Sequence, residues 1–527
     1  MLIGYVSDED YVALVDVAVD FEQGGALVAS VRSTATGAIF VDLPLGAYRA
    51  SFNKAGYGAK RVDVVLEAGK VDAFRLLSDR LLGYVFPKWA RSGERGEFRV
   101  HSVHPYHLSL YRFGLKRELV RPIGWFDAHG ARSVMQITPD GDYTQTGVKW
   151  NRVGWGSPHH TQFVEAPAQS GLYYFYARSA SGEFFSFPWV VAPKTPTAKV
   201  AVLASTNTWN AYNAFGGRSN YVNSTGLPAT PTVNARQDLM RYQGGGAYAE
   251  WQEENGKYAP LSFERPERLN HVPFETDVYH PIEGRDACHV APAEWRLLAW
   301  LEREGFEYDL YAEAQLDSGL LDLDSYRVLI LSTHPEYWSV EMYERVKRWV
   351  FERGGRLMYL GGNGLNCAVE LTPEGAMVVH NKMPEEGSGL ESRFHSQHES
   401  EANLLGVVFT EAGIMTAAPY RVVEAEHWAF AGTGLKAGDL FGIQSLHERI
   451  PGGASGHETD KRSVFSPAGT VLLARGENPE EGGGEMVCYE LPNGGACFSV
   501  GSITFPASVL VDEALSKVTR NVLERFL

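Results

Sequence analysis

A few short segments of this chain carry residues whose chemistry exceeds what a fold alone requires. Thr333-His334-Pro335-Glu336 sets an imidazole and a carboxylate where an apolar run passes into a helix. An imidazole at such a place can move a proton. A glutamate there can equally be a first-turn residue that complements the helix start. The stretch WNAYNAFGGRSNY holds Tyr212 and Tyr221 in a loop rich in Gly and Asn. Tyrosines in such loops commonly pack in a core and hydrogen-bond to backbone. Gly361-Gly362-Asn363-Gly364 reads either as plain turn chemistry or as a source of donors for a developing oxyanion. Gly216-Gly217-Arg218-Ser219 fits neither a Walker loop nor a dinucleotide fingerprint. Lys382, Arg393, His395 and His398 lie in a polar stretch that suits a solvated loop, and Gly452–Glu458 has the same character. Cys367 follows a strand-end loop and is the best nucleophile among the cysteines, but no G-x-S-x-G elbow surrounds it, and a buried small residue explains it as well. HExxH, Cys-rich zinc spacing and EF-hand loops do not occur.

These residues need a scaffold, and the pattern of the chain predicts one in three parts. Residues 1–80 alternate apolar and polar in short runs (Ala26–Val31, Ala38–Val41, Tyr48–Phe52, Arg61–Leu66) separated by turn signals, as in a small β-sandwich. Residues 81–195 again read as strands, among them Gly96–Val103, His107–Arg112, Gly171–Ala177 and Phe184–Val191, and form a second all-β domain. Ala192–Pro196 reads as its exit linker. From 196 to 527 the pattern changes. Lys199–Ser205, Tyr308–Tyr311, Tyr326–Ser332 and Arg356–Leu360 read as strands, with helices over Pro292–Glu304 and Val340–Arg353. That alternation predicts an α/β catalytic domain with a parallel sheet of the flavodoxin or glutamine amidotransferase kind. In such sheets ligands bind beyond the carboxyl ends of the strands, and polar clusters follow three of them.

Composition narrows the function. With 48 Lys+Arg against 64 Asp+Glu, the formal charge of -16 and the lack of basic runs argue against a nucleic-acid partner. No apolar stretch approaches the ~18 residues of a membrane span, so no membrane association is expected. Met1-Leu2-Ile3-Gly4 lacks a basic start and a long apolar run, so no signal peptide is expected. Four scattered cysteines without a CxxC pair suit a reducing cytoplasm.

Taken in order, the motifs NTWNAYN, GGRSNY, FERP, THPEYWS, YLGGNG, GGASGHETD and PNGGACFSVGSITF resemble the large (beta) subunit of the N,N-dimethylformamidase family. The resemblance covers roughly 197–527 and implies an amidohydrolase with a mononuclear ferric iron held by Tyr212, Tyr221 and Glu336. It matches His334, Asn363, Lys382 and Glu458 to active-site positions. It also implies a small-molecule amide substrate, a homo-oligomer and a small partner subunit. The stretch between the two tyrosines is much shorter here than in dimethylformamidase, and the segment after Tyr221 to about 260 also departs, so the substrate need not be dimethylformamide. The donor set is chemically coherent, because phenolates and a carboxylate are hard oxygen ligands suited to a hard ion. Such an ion polarises an amide carbonyl and acidifies bound water. Two other readings stay open: a cysteine-dependent amidotransferase using Cys367, and a carbohydrate- or ligand-binding protein with a degenerate α/β domain.

Overall fold

The computed structural model describes residues 1–127, 140–150, 162–233, 258–282 and 288–527. In the strand Gly46–Asn53, Tyr48, Ala50 and Phe52 point inward while Ala47, Arg49 and Asn53 face solvent, the period-2 pattern of a half-buried strand. This strand pairs with Ala18–Gln23 on one side and Lys60–Leu66 on the other in a four-stranded sheet. A three-stranded sheet built on Leu2–Ser7 covers its apolar face, and the Phe52 and Phe74 rings meet at 4.6 Å in the shared core.

The next layer is a five-stranded sheet containing Tyr106–Phe113, Gly171–Ser179 and Phe184–Ala192, with a three-stranded sheet packed on it. Gly171–Ser179 is buried on both faces and serves two cores. Tyr173, Phe175 and Ala177 enter the core of this layer, whereas Leu172, Tyr174 and Tyr176 point into the core of the C-terminal region. Phe113 and Trp295 meet at 4.5 Å across the same junction.

The C-terminal region is organised by a nine-stranded sheet. Its spatial order begins Asp309–Ala312, Val200–Ala204, Val328–Thr333, Arg356–Gly361, Ala496–Ser499, and these neighbours pair in parallel. It then continues through Glu485–Glu490, Val471–Gly476, Tyr420–Val422 and Leu440–Phe441, all antiparallel. Every residue of Val328–Thr333 is buried, because Val328 and Ile330 enter one core and Leu329 and Leu331 the other. The helices Ala291–Arg303 and Glu513–Phe526 cover the first face and Val340–Arg353 the second. Val340–Arg353 starts where Ser339 Oγ accepts the Met342 N–H and stops at Gly354 in the left-handed region (φ 75°).

This overturns the expected fold class. The chain is predominantly β with largely antiparallel sheets, and no flavodoxin-like or amidotransferase-like parallel α/β domain is present among the described residues. The physical reason lies in what a buried apolar run encodes. Such a run specifies a strand covered on both faces but not the direction of its neighbours. The strands read from the sequence stop at Leu360, yet residues 420–499 extend the sheet with antiparallel strands. Glu485–Glu490 turns back into Ala496–Ser499 through Pro492-Asn493-Gly494, a short-turn link that only antiparallel neighbours allow.

Candidate metal centre

Tyr212 ends the short helix Thr206–Tyr212, which leaves the strand Val200–Ala204. Two buried glutamates hold its start. Glu313 accepts the Asn207 N–H at 2.7 Å and the Trp338 indole N–H at 3.0 Å. Glu294 accepts the Ser205 N–H at 3.2 Å and the Trp209 indole N–H at 2.7 Å, and burial pushes its carboxyl up to about 8. Thr208 then fastens the helix to the neighbouring strand end. Its hydroxyl donates to the His334 carbonyl at 2.6 Å and accepts the Glu336 N–H at 3.2 Å.

The loop from Tyr212 to Tyr221 is gathered by Arg265 of the FERP segment. Its guanidinium donates to the carbonyls of Asn213 (3.1 Å), Phe215 (2.9 Å) and Arg218 (3.1 Å), and to the Asn210 side chain (2.8 Å). Gly216 and Gly217 serve close packing, not phosphate. A Cβ on Gly216 would lie 2.2 Å from Thr144 Cγ2, and one on Gly217 would lie 2.4 Å from Tyr11 Cβ. Arg218 is likewise engaged, donating to Asp142 at 3.0 Å.

Glu336 follows a kink. Thr333 adopts φ 55°, and Gly361 is packed so closely that a Cβ there would lie 2.4 Å from the Thr333 carbonyl oxygen. The kink turns His334 and Glu336 inward, with 1% and 2% exposure. Around the Glu336 carboxylate two phenol oxygens converge. The Tyr212 hydroxyl lies 3.2 Å from Oε2, and the Tyr221 hydroxyl lies 3.0 Å from Oε2 and 3.2 Å from Oε1. The two phenol rings are 4.2 Å apart.

His334 Nε2 sits 3.2 Å from Glu336 Oε2 and 3.3 Å from Glu458 Oε2, close to both but aligned with neither. Burial opposes its charging, yet the two carboxylates prevail and raise it to about 9. Burial works the other way on Glu458, but His334, His457 and the Asn363 amide hold it well below the usual carboxylate range. The Asn363 amide donates to Glu458 Oε2 at 2.8 Å, and its backbone N–H donates to Asp460 at 2.9 Å. Tyr212, Tyr221, His334, Glu336, Asn363 and Glu458 therefore form one connected cluster. Lys382 does not join it by any described contact and is solvent-exposed.

Several neighbours escaped the sequence reading. Arg393, expected in a solvated loop, is buried, with Nη1 4.0 Å from Glu336 Oε1 and 3.5 Å from Cys367 Sγ. His289 places Nδ1 3.1 Å from His334 Nδ1 and its ring 4.4 Å from that of Tyr212. Tyr337 lies against Tyr221, hydroxyl to hydroxyl at 2.5 Å. The THPEYWS motif contained that last signal, since Tyr337 follows Glu336 directly. Nothing local marks Arg393 or His289. Cys367 is a poor nucleophile here: burial pushes its thiol well up, and its polar partners are Arg393, Asn381 and Glu336, with no imidazole.

The donor set fits a hard cation. Metal–oxygen bonds of about 2.0–2.2 Å put adjacent ligands roughly 3 Å apart, and the phenol and carboxylate oxygens lie 3.0–3.2 Å from one another. The unaligned His334 Nε2 beside them has the character of a partner to something bound at the cluster. A second buried group, Cys288, His447 and His457, also gathers donor atoms, but the Arg449 guanidinium donates to Cys288 Sγ at 3.4 Å and sets a positive charge against a cation there.

A mainly β scaffold with a buried, oxygen-rich cluster at a strand end defines a class: a protein with a candidate hard-metal site. The family is narrower. Residues 117–515 match the family described as N,N-dimethylformamidase beta subunit-like, C-terminal, and the chain belongs to it. The N,N-dimethylformamidase beta subunit of Paracoccus aminophilus is 26% identical over 482 residues, covering 75% of this chain and 61% of that protein. The one from Alcaligenes sp is 23% identical over 482 residues, covering 73% and 59%. The chain thus matches about three fifths of the length of these curated relatives. A DUF3823 family protein from Bacteroides ovatus aligns with 35% of this chain and 98% of its own at 11% identity, but its TM-score of 0.13 bears on neither fold nor function.

Proposed function

We propose that this chain is a hydrolase of an amide or related C–N bond, with Tyr212, Tyr221 and Glu336 holding a mononuclear ferric iron. The observation that carries the reading is the convergence of two phenol oxygens on a buried carboxylate at 3.0–3.2 Å. The names of the two relatives support the reaction class. They also support a partner subunit, since both relatives are called beta subunits.

Iron bound there would supply Lewis acidity, polarising the carbonyl and lowering the pKa of water. The remaining chemistry belongs to the chain. His334 Nε2, between two carboxylates, is placed to give a proton to the leaving amine. Glu458 stabilises the charged imidazole. Asn363, locked by Glu458 and Asp460, is placed to donate to a developing oxyanion if its amide turns from Glu458. Burial of the cluster strengthens each of these interactions.

The test is metal analysis of the purified protein with an amide screen. The reading expects about one iron per chain and a visible tyrosinate-to-iron band, both lost in Tyr212→Phe and Glu336→Ala. His334→Ala should keep most of the iron and lose about 100-fold or more in turnover. Amide hydrolysis by metal-free protein would overturn the mechanism. Iron retained in Glu336→Ala would overturn the ligand assignment.

A further inference from the structure

Behind the donor cluster runs a chain of hydrogen bonds whose polarity can be read from its two ends. Asn220 Nδ2, which can only donate, lies 2.9 Å from the Tyr337 hydroxyl oxygen. With the Tyr221 proton directed at Glu336, the Tyr221 oxygen is left to accept from the Tyr337 hydroxyl at 2.5 Å. The order is therefore Asn220 to Tyr337 to Tyr221 to Glu336. Asn220 and Tyr337 are buried at 1% and 0% exposure, so water cannot replace either bond cheaply. Both are anchored by backbone: the Asn220 N–H donates to the Ala211 carbonyl at 2.8 Å, and the Tyr337 carbonyl accepts from the Asn207 amide at 3.0 Å.

We propose that Tyr337 is a positioning residue that tunes Tyr221 as a ligand: its hydroxyl donates to the Tyr221 oxygen, while Asn220 holds the Tyr337 oxygen from behind. This rests on the reading of Tyr212, Tyr221 and Glu336 as the iron-holding set. When Tyr221 gives up its proton to bind a cation, the donor from Tyr337 stays and steadies the phenolate. A neutral-to-charged hydrogen bond of this kind is stronger than a neutral one. It holds the Tyr221 oxygen in place and withdraws electron density from it. Two consequences follow on losing it. The Tyr221 oxygen loses a bond that holds it in place, which weakens iron binding. The phenolate that does form is more electron-rich, which moves the tyrosinate-to-iron band to longer wavelength.

The experiment compares wild-type protein with Tyr337→Phe and Asn220→Asp, each loaded with excess iron. The band position is recorded, and iron is then withdrawn with a competing chelator. Tyr337→Phe removes the donor. Asn220→Asp keeps the volume and the Tyr337 hydroxyl but offers only acceptor oxygens when ionised, which turns the Tyr337 proton away from Tyr221. Both variants should show the band at longer wavelength and an iron affinity lower by ~10- to 100-fold, the usual cost of losing an outer partner of a metal ligand. If Tyr337→Phe fails to fold, Asn220→Asp alone decides. A wild-type band that stays unmoved in the variants overturns the role of Tyr337 and leaves the ligand set standing. Wild-type protein without iron or without the band overturns the ligand set, and this proposal with it.

Discussion

Two buried polar clusters in this molecule make an instructive pair. In the β-rich half, Arg99 is fully enclosed and every nitrogen of its guanidinium has an aligned acceptor. Nε and Nη2 donate to Glu97 at 3.0 and 2.6 Å, and Nη1 donates to the Tyr84 oxygen at 3.0 Å and to Glu264. The cation sits among its acceptors and the cluster is closed. Around Glu336 the arrangement is inverted. Oxygens crowd one another, the buried cation Arg393 stands off at 4.0 Å, and His334 lies beside two carboxylates without an aligned bond. Both clusters are costly to bury, but only one of them is complete by itself. The closed cluster belongs to the fold and the open one has the makings of a site.

Four measurements break or sharpen that contrast. The largest effect should follow Glu336→Ala, which removes turnover and iron together while leaving the unfolding midpoint within a few degrees, as judged by circular dichroism. Loss of the fold would mean that Glu336 is structural after all. Arg99→Ala should do the reverse. It strands Glu97 and Glu264 without their cation and should cost ~3–5 kcal/mol in urea unfolding, while the folded fraction keeps its iron.

A pH experiment comes next. Burial lowers His101 from 6.5 to about 4, and its Nε2 donates to the Ser78 carbonyl at 2.8 Å, so the folded state holds it neutral. The stability this group contributes is full above its unfolded value of 6.5 and disappears as pH falls through about 4. The gap is worth about 3 kcal/mol. Urea unfolding at neutral and acid pH should reveal that loss, and His101→Gln should flatten it. The smallest effect should be that of Lys382→Ala. An exposed side chain with no described contact to the cluster should change stability by less than about 0.5 kcal/mol, with turnover nearly unchanged. A large drop in turnover would return Lys382 to the site.

How much of this was legible in the sequence depended on the range of the forces involved. His334 and Glu336 stood out because the apolar run Val328–Leu331 leads into them, and the strand Val328–Thr333 does deliver both. Helix Val340–Arg353 was readable from its spacing and its Gly354 stop, both local facts. The fold class was not readable. The turn Pro492-Asn493-Gly494 is a local sign of antiparallel pairing, but nothing local shows that Ala496–Ser499 joins this hairpin to Arg356–Gly361, far back in the sequence. Arg393 was missed for a related reason. Its loop is polar in composition, and only tertiary packing buries the guanidinium beside Cys367 and Glu336. The kink at Thr333 was equally hidden, since a left-handed threonine is imposed by its surroundings and not by its own preference.

Arg265 carries a consequence for how the molecule comes together. Its contacts with Asn210, Asn213, Phe215 and Arg218 span 47 to 55 residues of chain, and Tyr212 must still find Glu336 across 124. Contacts of such separation must overcome chain entropy before they are rewarded, and they form late. The nascent chain therefore holds no ready-made form of the proposed iron site. Under the proposed function, loading of the ion and the last act of folding would become a single event.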